Sequence, residues 1–422
     1  MASPVSFYHK GKDISLTVHG DDFTFVGDDL GFNWIEALMR LWYEIKVRAR
    51  LGPDESDQKE ATLLGRIIRW NRWGVSCEAD PKHRRMVMEA LGLEETSKSL
   101  AAPGSKEQHT RDVEDESQGG DTRFRAIVAR INYMAADMPD VQFACKEVCR
   151  DMSNPTSQSW AKLKKLGRYL VGRPRVVWRF PWKNGVGPLR VYTDSDWAGD
   201  TKTRKSTSGG LILLGEHCLK TWSHSQDAIA LSSCEAEYYA VVEGATRALG
   251  MKSAAKELGI EVSSVEIEMN MDSSAAKSFA SRRGTGRVKH IETKWLWLQS
   301  AVAGGQFRLK KVRGTCNPAD VCTKYLSKTE AVEKLAAVNI EVEVKPSSSD
   351  GSVSTVFKEE APTGLQACMG CHSRGTTGCL AWAGHPRVCW ADAFDSEGEA
   401  AALGAEALDG EASEEECRQS RP

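Results

Sequence analysis

No stretch of this 422-residue sequence approaches the roughly 20 consecutive apolar residues that carry a helix across a bilayer. Its first residues, MASPVSFYHKGKD, hold no apolar core of signal-peptide length. Both absences argue against membrane and secretory readings and give the expectation of an intracellular protein, cytoplasmic or nuclear. The twelve cysteines then read as thiols in a reducing compartment. Net charge is nearly missing too: 56 Lys and Arg against 58 Asp and Glu give a formal −2, so there is no overall pull toward polyanions. The charge is unevenly spread, however. Residues 151–190 hold nine Lys or Arg against one acid, and residues 345–422 hold thirteen acids against six bases. A basic stretch followed by an acidic tail keeps nucleic acid among the expected partners. The length allows two or three domains.

Along the chain, Ile14 to Val18 alternates, Gly20-Asp21-Asp22 breaks the pattern, and Phe23 to Val26 alternates again, as a hairpin does. A helix through Trp34, Ile35, Leu38 and Leu41 follows, with Asp28 or Asp29 as its N-cap. Leu63 to Cys77 reads as a second hairpin, and a basic helix starts at Pro81. The units expected are 1–100, a polar linker at 101–122, a helical segment at 123–186, an α/β domain at 187–338, and a low-complexity tail at 339–422 predicted to be disordered. Within the α/β domain the pattern predicts strands at 188–193, 209–215, 218–223, 265–271 and 306–313. It predicts helices at 233–259, 273–282, 290–303 and 317–336.

In that domain the string VYTDSDWAGD places three aspartates within seven positions at a strand end. Asp194 closes the strand, Glu237 lies in the first turns of the long helix, Asp272 ends a strand, and Asp320 opens the last helix. Each acid alone reads as a cap or a solvated residue rather than a metal ligand, and the pair Asp194 and Asp272 at two strand ends leaves both readings open. Converging on one sheet edge, they would repel one another unless divalent cations lay between them. Hard carboxylate oxygens suit Mg²⁺ or Mn²⁺, and two such ions about 4 Å apart support phosphodiester hydrolysis.

The ordered strings TDSDWAGD-TKTRKSTSGG, SSCEAEYYA, MDSSAAKSFA, VKHIE and NPADVCTKYL resemble the ribonuclease H domain of copia-type retrotransposon Pol polyproteins. HGDDFTFVG is similar to the hairpin bearing the YxDD motif of their reverse transcriptase, with His19 where the motif has Tyr. The resemblance extends over everything but the tail. It implies a ribonuclease H-like mixed sheet with flanking helices, preceded by an incomplete α+β palm and connection region. It further implies Asp194, Glu237, Asp272 and Asp320 as catalytic, metal-binding carboxylates, with Asp196 outside the metal shell and Glu235 a neighbour of Glu237. Arg204, Lys205, Lys289 and His290 would contact nucleic acid. The implied substrate is an RNA–DNA hybrid, with other Pol chains as possible partners. Asp21 and Asp22 would be a polymerase remnant, because the third polymerase aspartate and the fingers are not in this sequence. Ser273-Ser274 stand where the family has Asn-Gln. A catalytically inactive nucleic-acid-binding fragment is the competing expectation.

Two further patterns stay open. Lys162, Lys164, Lys165 and Arg168, then Arg173, Arg175 and Arg179 with Trp178 and Trp182 between them, form either a duplex-guiding face or a solvated one. Cys368, Cys371, Cys379, His385 and Cys389 offer zinc-ligand chemistry without a defined knuckle spacing, and low-complexity tail is the favoured reading.

Overall fold

The computed structural model describes residues 5–105, 121–262, 265–286 and 288–344, and the backbone of 387–393. Among the described residues no helix is long and apolar enough to cross a membrane. Antiparallel strands β1 (Ser6–His9), β2 (Ile14–His19) and β3 (Asp22–Gly27) open the chain. Gly20, at φ +57°, turns β2 into β3. Helix α1 (Asp29–Met39) starts where the Asp28 carboxylate accepts from the Gly31 amide. Strand β4 (Ile45–Leu51) follows, then β5 (Glu60–Leu63), β6 (Arg66–Asn71) and β7 (Gly74–Ala79), and α2 (Pro81–Ala90) with Asp80 as its cap.

The expected helical segment comprises α3 (Thr122–Ala135), α4 (Pro139–Cys149) and α5 (Ser157–Val171), the last begun by a Thr156–Ser159 capping box. It is not helical throughout. Residues Val176–Pro181 form β8, paired to β7 through Cys77 opposite Trp178.

Next come β9 (Leu189–Asp196), β10 (Thr207–Leu214), β11 (His217–Ser225), α6 (Ser233–Glu257), β12 (Ile267–Met271), α7 (Ser274–Ser281), α8 (Trp297–Ala303) and β13 (Arg308–Lys311). Then follow α9 (Lys328–Ala336), β14 (Ile340–Val342) and β15 (Arg387–Ala393). The order β11-β10-β9-β12-β13 joins three antiparallel strands to two parallel ones. That is a ribonuclease H-like mixed sheet with flanking helices. Its central strands are buried on both faces: Ile212 packs with Val191, Val241, Ala245 and Met269, whereas Leu211 and Leu213 join the core of α3, α4 and α5.

Three expectations need correction. Strand β9 continues to Asp196, so Asp194 lies two residues before its end. The helix expected over 317–336 is a 3₁₀ turn, Pro318–Cys322, and then α9, because Asn317 and Ser327 each cap a separate start. Asp320 therefore sits in the turn. The boundary at 338/339 divides a sheet, since β14 pairs with β8 in the order β14-β8-β7-β6-β5. β15 is likewise ordered strand, between β3 and β4. Residues 106–120 of the linker, most of the tail and four of its five candidate zinc ligands lie outside the described residues, as does the Cys389 side chain.

Candidate active site

Parallel register brings the first two acids together. β12 runs beside β9 with Asn270 opposite Tyr192, so Asp272 and Asp194, each two residues further on, reach the same sheet edge. Two glycines let the remaining elements close on that edge. A Cβ on Gly244 would stand 2.7 Å from Thr193 Cγ2, so only Gly allows α6 to sit this near β9 and deliver Glu237. A Cβ on Gly209, the register partner of Asp194, would meet Thr323 Cγ2 at 2.5 Å. Its absence admits the Pro318–Cys322 turn. Buried Asn317 locks that turn in place: its side-chain amide donates to the Thr193 carbonyl at 2.9 Å, and its carbonyl accepts from the Ala319 amide.

Carboxylate oxygens of Asp194, Asp272 and Asp320 lie within 4.8 Å of one another. Glu237 borders this cluster from α6. Its Oε1 accepts from the Ser195 amide at 3.1 Å and the Ser195 hydroxyl at 2.8 Å. Its Oε2 is buried and has no hydrogen-bond partner among the described residues, an arrangement that ordinarily costs free energy. Burial, followed by the charges of Asp194 and Asp272, pushes Glu237 up to about 8. Burial also raises Asp194, to about 6, with Asp320 and Asp272 adding to the effect while Lys324 and Thr323 oppose it. Four convergent carboxyls, two of them held above their ordinary range, form an electrostatically unfavourable site suited to added positive charge.

Part of that charge comes from the chain itself. Lys324 Nζ is 3.2 Å from Asp194 Oδ2 and bonds Asp320 Oδ1. Burial lowers the Lys324 pKa, but Asp194 and Asp320 outweigh it and raise the value. Thr323 Oγ1 donates to Asp194 Oδ2, and Lys334 Nζ sits 2.9 Å from Asp320 Oδ2. The sequence reading contained none of these three groups, although Thr323 and Lys324 fall within the NPADVCTKYL string.

Glu235 is separated from the cluster by its own bonds. It accepts from the Leu231 amide at 3.0 Å, completes the Ser232 cap, and meets His290 Nε2 at 3.0 Å. Of the candidate nucleic-acid contacts, His290 is thus tied to the start of α6, and Lys289 is exposed. Arg204, exposed at φ +59°, lies beside Lys205 in a loop closed on Asp200. Ser273 caps α7 through the Ala276 amide at 3.1 Å, a task that engages its hydroxyl.

The duplex-guiding reading of the basic run fails for its second half. Arg173 is buried against Asp140 and Tyr169, Arg175 pairs with Glu78, and Arg179 pairs with Glu341. Trp178 and Trp182 donate to the carbonyls of Asp137 and Asn71. These groups join sheets and helices. Asp21 and Asp22 sit at the β2–β3 tip, and among the described residues no third acid gathers with them.

The retrovirus-related Pol polyprotein from transposon RE2 of Arabidopsis thaliana is 33% identical over 207 residues, which are 49% of this chain and 14% of the relative. That from transposon TNT 1-94 of Nicotiana tabacum is 26% identical over 332 residues, 76% of this chain and 24% of the relative. The chain is a relative of the retrotransposon Pol polyproteins. It spans 14% and 24% of the length of these two relatives, and no family model matches it. Among solved structures, the N-terminal ribonuclease H domain of a Mycobacterium tuberculosis protein is 18% identical to this Pol relative. It covers 36% of this chain and 98% of its own, with a TM-score of 0.22. At that score the superposition decides nothing, and the strand order stands on its own.

Proposed function

We propose that residues 187–338 act as a ribonuclease that hydrolyses the RNA strand of an RNA–DNA hybrid, preceded in the chain by a polymerase-like segment carrying Asp21 and Asp22. The observation that supports it most is the gathering of Asp194, Asp272 and Asp320 within 4.8 Å at one sheet edge. A divalent cation fits these residues: the donors are all carboxylate oxygens, and Glu237 Oε2 is buried without a partner among the described residues. Asp194, Asp272, Asp320 and Glu237 would hold Mg²⁺ or Mn²⁺. Such ions, when bound, activate water and stabilise the departing oxygen of a phosphodiester.

The chain's own contribution is positioning. Ser195 fixes Glu237 by one oxygen and leaves the other available. Thr323 orients Asp194, and Asn317 anchors the turn that carries Asp320. Arg204, Lys205, Lys289 and His290 would receive phosphates, a contact sensitive to salt and indifferent to sequence. In this reading the protein works inside the cell, with other Pol chains as candidate partners.

The competing reading is a binding fragment without catalysis. Lys324 favours it, because an ammonium already rests on Asp194 and Asp320. Incubating the full chain with a labelled hybrid and Mg²⁺ separates the two. RNA-strand cleavage that drops steeply in Asp194→Asn supports the nuclease. Hybrid binding without cleavage would leave the binding fragment.

A further inference from the structure

Two lysines touch the carboxylate cluster, and they are held differently. Lys334 is nearly buried, its side chain 11% exposed. Besides Asp320, its ammonium donates to the carbonyls of Thr315 at 2.9 Å and Asn317 at 3.0 Å. Those main-chain bonds fix it whether or not Asp320 is engaged elsewhere. Lys324 is 41% exposed. Its ammonium rests on the Asp194 and Asp320 carboxylates, and no backbone carbonyl among the described residues accepts from it. Asp194 Oδ2 already has a second donor in Thr323 Oγ1. Lys324 is thus a partly exposed, singly charged cation held by carboxylates where three acids crowd together.

We propose that Lys324 is an exchangeable counter-ion: it neutralises the cluster when no metal is bound and must withdraw for a divalent cation to enter. The proposal rests on the metal-site reading given above. Coulomb attraction scales with charge, so a divalent ion outcompetes an ammonium for the same oxygens. Until it does, the ammonium relieves carboxylate repulsion that would destabilise the fold. Lys324 therefore raises metal-free stability and weakens metal binding. Lys334, fixed by main chain, stays in place in both states.

The test uses the full chain without nucleic acid. Calorimetric titration with MnCl₂ alone should show Lys324→Met binding about tenfold tighter than wild type, an order-of-magnitude figure for losing one partly screened charge. In EDTA the same variant should melt lower, and Lys324→Arg should restore both values toward wild type. A second measurement needs no variant. Acetylation of wild-type protein, followed by mass spectrometry, should show Lys324 modified several-fold faster with Mn²⁺ than with EDTA, while Lys334 is unchanged. Equal acetylation of Lys324 in both conditions, or wild-type Mn²⁺ affinity in Lys324→Met, overturns the counter-ion role and leaves the metal site intact. Absence of Mn²⁺ binding in wild type and Lys324→Met alike overturns the metal site itself.

Discussion

Burial and neighbouring acids disfavour the charged form of Glu237, and this gives the metal-free protein a definite pH behaviour. Its folded pKa, about 8, lies above the ordinary 4.5. Between those values the native state holds a proton that the unfolded chain releases, so stability falls as pH rises through the window. Asp194, raised from 3.8 to about 6, acts in the same direction over the lower part. In EDTA, wild-type melting temperature should drop from pH 5 to pH 8.5, and Glu237→Gln should flatten that slope. A wild-type melt level across this range would show that Glu237 ionises freely. The two aspartates of Asp194-Ser195-Asp196 should separate in a cleavage assay. Asp194, buried and bonded to Thr323 and Lys324, should lose on the order of a hundredfold in rate as Asn. Asp196 lies outside the 4.8 Å cluster, and as Asn it should keep most of the rate. The reverse ranking would transfer the ligand role to Asp196. The candidate acids could be picked out in sequence because they fall at or near the expected ends of strands and helices, within ordered strings that resemble a known family. Thr323 could not be linked to Asp194 from sequence: it is 129 residues away, and only the folded turn joins them.

Elements are held by pairs that composition alone cannot show. Glu78 on β7 is 2% exposed and pairs with Arg69 on β6 and with Arg175 just before β8, the latter at 2.7 Å. Burial works to raise its pKa, but the two guanidiniums outweigh it and hold the carboxyl below its ordinary value. A depressed folded pKa contributes stability that is full above 4.5 and lost as pH falls through the folded value. Glu78→Gln should cost about 2 kcal/mol in urea unfolding at pH 7, discounted because both arginines are partly exposed. The difference from wild type should shrink as pH drops below 4.5. An equal deficit at pH 3 and pH 7 would mean that packing, and not the ion pairs, holds β7. The same region explains why Arg173, Arg175 and Arg179 were ambiguous in sequence: their partners, Asp140, Glu78 and Glu341, come from three other elements. The helix expected over 317–336 shows a different limit. The break within it was marked by the Ser327-Lys328-Thr329-Glu330 capping box, which starts a second helix.

At the scale of the molecule, the amino-terminal sheet depends on the far end of the chain. β3 and β4 are not paired to each other; β15 lies between them, with Val388 opposite Val26 on one side and Leu51 on the other. Its short sequence, Arg-Val-Cys-Trp-Ala-Asp-Ala, sits in a Ser-, Gly- and Glu-rich stretch whose composition dominated the reading of residues 339–422. Strand pairing with two distant partners leaves no local mark. Deleting residues 387–422 would leave β3 and β4 each with an unpaired edge, a state prone to opening and to intermolecular pairing. Amide hydrogen exchange reports such opening segment by segment. In the truncated protein, protection should fall over residues 22–27 and 45–51, while residues 189–196 and 267–271, paired within their own sheet, should keep theirs. Unchanged exchange over 22–27 and 45–51 would mean that the amino-terminal sheet stands without β15. Loss of protection across all four segments would mean that the tail supports the ribonuclease-like sheet as well.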